Sequence, residues 1–234
     1  MATHQTAEEV RAQHLNDIGP DLGSVYNVLY NDVSWLHIKW GQYRQLFAKS
    51  QRRVDVMNQA AGHFFRILQD ALFEDIILHL ARLTDQAQSG HKHKAQDNLS
   101  LRRLQLLVPD TLSVEVADLA QEALAACSAP RGWRNKRLAH RDLTVALATA
   151  DDPLPGISRG DVEKALAAFR KLLHRLEQHY WGSEVGYEHS LGGVGEADQL
   201  VYYLHKGLKA EQARHERLIS GKGLPEDIEL SEDI

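Results

Sequence analysis

Between Trp133 and Asp142 the chain runs Trp-Arg-Asn-Lys-Arg-Leu-Ala-His-Arg-Asp, the densest positive cluster in an otherwise acidic sequence. Arg134 and His140 bracket Asn135, Lys136, Arg137, Leu138 and Ala139, and Arg141 follows directly. Arginine carries a permanent, forked charge that suits phosphate oxygens. Histidine takes and gives a proton near neutrality. An RNA strand supplies its own nucleophile, the 2′-hydroxyl. Cutting it needs a base, an acid and a cation to steady the phosphorane, and no metal is obligatory. Arg134 with His140 is enough inventory for that reaction. The same residues also make a phosphate clamp that binds without cutting. A third reading is an ordinary helix whose cations pair with acidic neighbours.

Spacing adds a condition. Each residue of an ideal helix turns about 100°, so positions six apart lie about 120° apart around the axis. Arg134 and His140 of one chain therefore do not converge on one phosphate. Two copies facing each other across a two-fold axis can complete the site. Lys136 and Arg137 lie nearer the face of His140, and with Arg141 they are read from charge alone as RNA contacts.

The elements around this segment are helical throughout. Leu22, Tyr26, Leu29, Val33, Leu36, Trp40 and Tyr43 recur at steps of three and four, the spacing of one helix face. Ser50 to Leu83 reads as the longest helix, with Met57, Ala61, Phe64, Phe65, Leu68, Ile76 and Leu80 in one stripe. His63 and His79 on it are expected to be buried and hydrogen-bonded. Ser100 can cap a short helix, and Leu112 to Cys127 forms another. Proline is welcome in a first helical turn, so a helix is expected to start near Pro130. That places Trp133–Asp142 near its beginning, where free amides favour phosphate. Ser158 with Asp161 is a capping box before a strongly amphipathic helix ending at Trp181-Gly182. The expected organisation is a polar helix in 1–19 and a helical bundle over 20–181. A loop and accessory helix follow over 182–220, and a disordered acidic tail over 221–234.

Composition narrows the function classes. The 234 residues are 43% hydrophobic and 25% charged, ample for one core. The net charge of -5 argues against a generic nucleic-acid coat, so any such contact is local. The single cysteine, Cys127, allows no disulfide within the chain and no thiolate metal cluster, and a buried inert thiol is expected. His91 and His93 alternate with Lys92 and Lys94, which repel a cation, so a solvated loop is expected there rather than a metal site. Gly193-Val-Gly195 lacks the Lys-Ser/Thr of a phosphate loop, and the dinucleotide fingerprint is absent. No cofactor is called for. Without a signal pattern or a run long enough to span a bilayer, a cytoplasmic protein with no membrane partner is the expectation.

The segment Arg134-Asn-Lys-Arg-Leu-Ala-His140 resembles the signature of the HEPN superfamily, an arginine followed after four to six residues by histidine, often with a polar residue after the arginine. Further pieces, in order, are Trp40-Gly-Gln-Tyr43-Arg-Gln-Leu-Phe47, Arg53-Val-Asp-Val-Met-Asn58, Phe64-Phe65, Arg82-Leu-Thr-Asp85, Asn98-Leu-Ser100 and Ala139-His-Arg-Asp142. Together they resemble the abortive-infection branch of that superfamily, over roughly residues 30 to 180. The resemblance implies an antiparallel all-α bundle, usually a homodimer, with the two motifs meeting at the interface. It implies a metal-independent endoribonuclease of phage defence or of a toxin–antitoxin pair, with an antitoxin protein as a possible partner. By position, Arg134 and His140 would be the catalytic pair and Asn135 the polar partner. A non-catalytic HEPN-like module that binds RNA, a nucleotide or a protein is the alternative.

Overall fold

The computed structural model describes residues 5–90, 95–138, 142–147, 154–189 and 195–228. Among these residues the fold is all-α, apart from an antiparallel ribbon of two residues a side, β1 (Gln88–Ser89) and β2 (Gln96–Asp97). The chain divides into two compact units, Met1–Trp40 with Phe73–Ser190 and Gly41–Leu72 with Leu191–Ile234. Helices α2 (Pro20–Phe47) and α3 (Gln51–Leu83) contribute residues to each.

The first unit is an antiparallel stack, and its ion pairs and hydrogen bonds show the pairing. Lys39 of α2 meets Asp75 of α3, while Asp32 meets Arg82, so the two helices run in opposite directions. Trp40 donates its indole N–H to Glu163 of α8 (Arg159–Trp181), and Tyr26 donates to Glu177 at the other end. Lys171 and Arg175 of α8 pair with Glu122 and Glu115 of α5 (Asp110–Ala126), again in reversed order. Exposed pairs of this kind contribute about 0–1 kcal/mol each, so they set register more than stability.

The core does the larger work. Leu29, Val33 and Leu36 of α2, Ile76 and Leu80 of α3, Val116 and Ala120 of α5, and Leu166, Phe169, Leu172 and Leu173 of α8 are fully buried. Burying one such large side chain contributes about 1.5–3 kcal/mol, far more than helix propensity. The expected capping box at the start of α8 is present, with the Asp161 amide donating to Ser158 Oγ and the Asp161 carboxylate accepting from the Ser158 amide. Gly182, in the left-handed region at φ 61°, ends the helix. Ahead of the stack, α1 (Ala7–Ile18) lies so close to α2 that a Cβ on Gly23 would stand 2.6 Å from the His14 carbonyl oxygen.

A polar network is sealed inside this apolar frame. Glu177 is 1% exposed and accepts from the hydroxyls of Tyr26 (2.9 Å) and Tyr187 (2.6 Å) and from the Val185 amide (2.8 Å). Burial first, then neighbouring Tyr26 and the Glu177 charge, push the Tyr187 phenol far above its ordinary range, so it remains a donor. His37 stands at the edge of this cluster, its ring 6.0 Å from that of Tyr187 and its Nε2 without a hydrogen-bond partner among the described residues. Burial, then the charges of Arg170 and His174, lower its pKa from 6.5 to about 4.

That shift has a measurable consequence. The unfolded chain protonates His37 near its ordinary value, whereas the fold keeps it neutral down to about pH 4. Below pH 6.5 the unfolded state therefore binds more protons, and stability falls as pH drops towards 4. The full loss from this group is about 3 kcal/mol at roughly 1.4 kcal/mol per pH unit. Urea unfolding of wild type and His37→Leu at pH 7 and pH 4.5 checks this. The wild type should lose more stability on acidification, and equal losses would remove His37 as the cause.

The second unit is built on Leu46 of α2, Met57 and Phe65 of α3 and Ala197 and Val201 of α9 (Ala197–Ile219). The amides of Ala197 and Asp198, at the start of α9, donate to the side-chain oxygens of Gln42 and Gln45. These glutamines from α2 satisfy donors that a helix start leaves unpaired.

Two expectations are corrected. Helix α3 leaves helical geometry at Ala61 (φ −162°, ψ 65°), just before Gly62, a residue that weakens helix. The break shifts the phase of the stripe, so Phe64 (59%) is exposed beside buried Phe65, and His63 is exposed instead of buried. Within the stretch expected as an acidic tail, Pro225–Asp227 forms a short 3₁₀ turn. The buried Asp227 carboxylate there pairs with Arg217 of α9, which, with the Leu224 amide, holds its pKa down to about 2. Residues 91–94, with His91 and His93, and residues 229–234 lie outside the described residues.

Candidate functional site

The end of α3 and the start of the Trp133–Asp142 segment are joined residue by residue. Thr84 closes α3, its hydroxyl donating to the carbonyls of Leu80 and Ala81. Its own carbonyl accepts from the Arg131 guanidinium. One residue on, Asp85 accepts from Arg134 Nη1 through both carboxylate oxygens, at 2.5 and 2.6 Å. Arg131 and Arg134 are three positions apart, one helical turn, so both reach the same end of α3. Cys127 is buried against Thr84, and burial pushes its thiol up to about 12, an inert group as expected.

A helix starts near Pro130 as expected, but it ends at Trp133. Helix α6 (Ser128–Trp133) begins two residues before Pro130, and the Arg134 amide already donates to the carbonyls of Pro130 and Arg131. Arg134–Leu138 then forms a single π-helical turn. Arg134 thus sits where α6 passes into the π turn, with its own amide already bonded and not free for phosphate. The cause is local: Cys127 ends α5 and the chain re-enters helix immediately, leaving Pro130 inside the first turn, where its missing N–H costs nothing. A π turn closes on the fifth residue onward rather than the fourth, so the angular step of an ideal helix does not apply over Arg134–Leu138.

Arg134 is well held. It is 22% exposed and Asp85 is 28% exposed. Its Nε donates to Asn135 Oδ1 at 3.0 Å. Among the described residues Nη2 makes no hydrogen bond, so one edge of the fork is left for an anion. Lys136 and Arg137 are exposed and line a cleft of about 500 Å³ with Glu74, Leu138, Asp142, Val145 and Ala146. Arg137 lies over the Trp133 ring, 4.5 Å from its centroid, and the Trp133 indole donates to the Pro155 carbonyl at 2.7 Å. Across the cleft, Asp142 caps α7 (Leu143–Ala146). The Thr144 hydroxyl, then the Val145 amide, hold its carboxyl below the usual range. The Asp142 amide donates to the Lys136 carbonyl at 3.0 Å.

Of the six residues expected at the site, Arg134 and Asn135 form one hydrogen-bonded pair, and Lys136 and Arg137 share the cleft. Arg134 is not among that cleft's walls. His140 and Arg141 lie outside the described residues. Asp85 was missed as a partner, although Arg82-Leu-Thr-Asp85 carries it as a piece of the resemblance. Its role needs the end of α3 brought to α6, which no local pattern shows.

A family model described as AbiU2, of the HEPN type, matches residues 20–192. The chain belongs to the AbiU2 family of HEPN domains. The AbiU2 match runs from the start of α2 past the Tyr187 turn, leaving α1 and α9 outside it. It takes in the Arg134–His140 segment together with Asp85. No curated protein and no solved structure matches the chain. No helix among the described residues of this AbiU2 protein is long and apolar enough to cross a membrane.

Proposed function

We propose that this AbiU2-family protein is a metal-independent endoribonuclease of abortive infection or of a toxin system, acting as a homodimer. Arg134 steadies the scissile phosphate, and His140 moves the proton. The 2′-oxygen attacks phosphorus, the 5′-oxygen leaves, and the products are a 2′,3′-cyclic phosphate and a 5′-hydroxyl. The observation that carries this reading is the fixing of Arg134 by Asp85 and Asn135, with Nη2 spared among the described residues. Orienting a charge before the reaction is how such a group stabilises a transition state without reorganisation cost. Purified protein incubated with total RNA in EDTA tests it: discrete fragments ending in cyclic phosphate are expected, and a requirement for a divalent metal defeats it.

One observation favours the non-catalytic alternative. Asp85, Glu74 and Asp142 offset the positive charge of Arg134, Lys136 and Arg137. A module of that balance binds RNA, a nucleotide or a protein without turnover, and intact RNA with salt-dependent retention selects it.

Asp85→Ala separates a positioning role from a structural one. Freed from Asp85, Arg134 loses its fixed direction, and kcat should fall about tenfold to a hundredfold with little change in KM. The pair is partly exposed, so thermal stability should fall by only about 1 kcal/mol. Unchanged kcat would show that the pair serves the fold alone.

A further inference from the structure

We propose that the α9 face bearing Tyr202, Tyr203, Lys206 and Lys209, with Arg52 of α3, is a second binding surface for single-stranded nucleic acid. The residues belong to one unit, and all of α9 lies beyond the AbiU2 match. Tyr202 and Tyr203 are 55% and 59% exposed, with ring centroids 5.6 Å apart. The Lys206 ammonium lies 5.5 Å from the centre of the Tyr202 ring. Tyr202 also lines a cleft of about 280 Å³ with Ser50, Arg52, Arg53, Val56, Val201 and His205, and Asp198 completes the wall.

The charge of this face is uneven in a telling way. Asp198 is committed to Lys49 and Arg53, Glu211 to Arg214, and Arg217 to Asp227. Among the described residues Arg52, Lys206 and Lys209 form no ion pair. All three lie near enough to His205 to act on it: burial first, then Lys209, Arg52 and Lys206, lower its pKa. Three uncommitted cations thus share one small region with two exposed aromatic rings.

The chemistry favours a nucleic-acid strand over an acidic protein. Cations alone suit any polyanion. Exposed phenol rings beside them add a platform on which bases stack, and every base offers a π-face. A duplex hides those faces, so a single strand is the occupant. The cleft is slightly below the roughly 300 Å³ at which ordinary small-molecule pockets begin, which suits one base of a strand better than a whole cofactor. The surface does not depend on cleavage at Arg134 and His140.

Fluorescence anisotropy of a labelled 12-residue oligouridine tests this, with the full chain carrying His140→Ala so that the probe stays intact. Tyr202→Ala should weaken binding about tenfold, and Tyr202→Phe should not. Lys206→Ala with Lys209→Ala should weaken it further and lower the slope of log affinity against log salt by about 1.4, two phosphates at about 0.7 each. An oligothymidine arm shows whether the 2′-hydroxyl is read. Equal competition by polyglutamate, or wild-type binding by all these variants, overturns the proposal. Protein that binds through α9 but cuts no RNA defeats the nuclease reading and leaves this surface standing. RNA cutting with α9 variants that bind as wild type does the reverse.

Discussion

His140→Ala should abolish RNA cleavage in EDTA, with kcat falling by about 10²–10⁴, while the oligomeric state and melting temperature stay as in wild type. The magnitude is that of a positioned proton-transfer group, since histidine is the one side chain of the segment that titrates near neutrality. Arg134→Ala should lose comparable activity for a different reason, the loss of charge on the developing phosphorane, worth about 3–4 kcal/mol for a single preorganised donor. If the site is completed across two copies, mixed dimers of the two variants should regain activity that neither has alone. Such complementation rests on each dimer holding one intact Arg134 and one intact His140. Cleavage that survives His140→Ala would sink the mechanism, whatever the oligomeric state.

Glu177→Ala should cost about 3–5 kcal/mol and lower the melting temperature by roughly 10 °C. The carboxylate is the acceptor for Tyr26, Tyr187 and the Val185 amide, and its removal takes this acceptor from all three at once. An orphaned buried donor costs about 1–3 kcal/mol. Truncation also leaves a cavity on the side of α8 that carries the core. Glu177→Gln should be milder, because the amide keeps one accepting oxygen while setting an N–H₂ against another donor. A loss below about 1 kcal/mol for Glu177→Ala, measured by urea unfolding, would show that water replaces the carboxylate and that the network is not sealed.

Much of this fold is legible in the residue order, because each long helix repeats its apolar positions every three or four residues. Val162, Ala165, Leu166, Phe169, Leu172, Leu173 and Leu176 announce α8, and all seven are buried. Caps are equally local: Thr6 with Glu9 and Ser158 with Asp161 close within four residues. The all-α class and the HEPN family follow from such patterns together with the Arg134–His140 signature and the pieces around it. Where periodicity breaks, the same reasoning slips. One non-helical residue, Ala61, turns Phe64 outward, and a π turn over Arg134–Leu138 replaces the α-helix expected there.

The tertiary structure alone decided how Trp133–Leu138 is held. Charge density in the sequence located its cations but not their partners, since Asp85 stands 49 positions from Arg134 and Glu74 belongs to another helix. Only packing brings such carboxylates within reach, and the range of a hydrogen bond is a few ångströms whatever the separation along the chain. For the same reason Glu177, an unremarked acid on an amphipathic helix, became the acceptor at the centre of the buried network. Sequence determined the helices, the family and the residue types available for chemistry. Three-dimensional contact determined which charges are spent on the fold and which remain for a ligand.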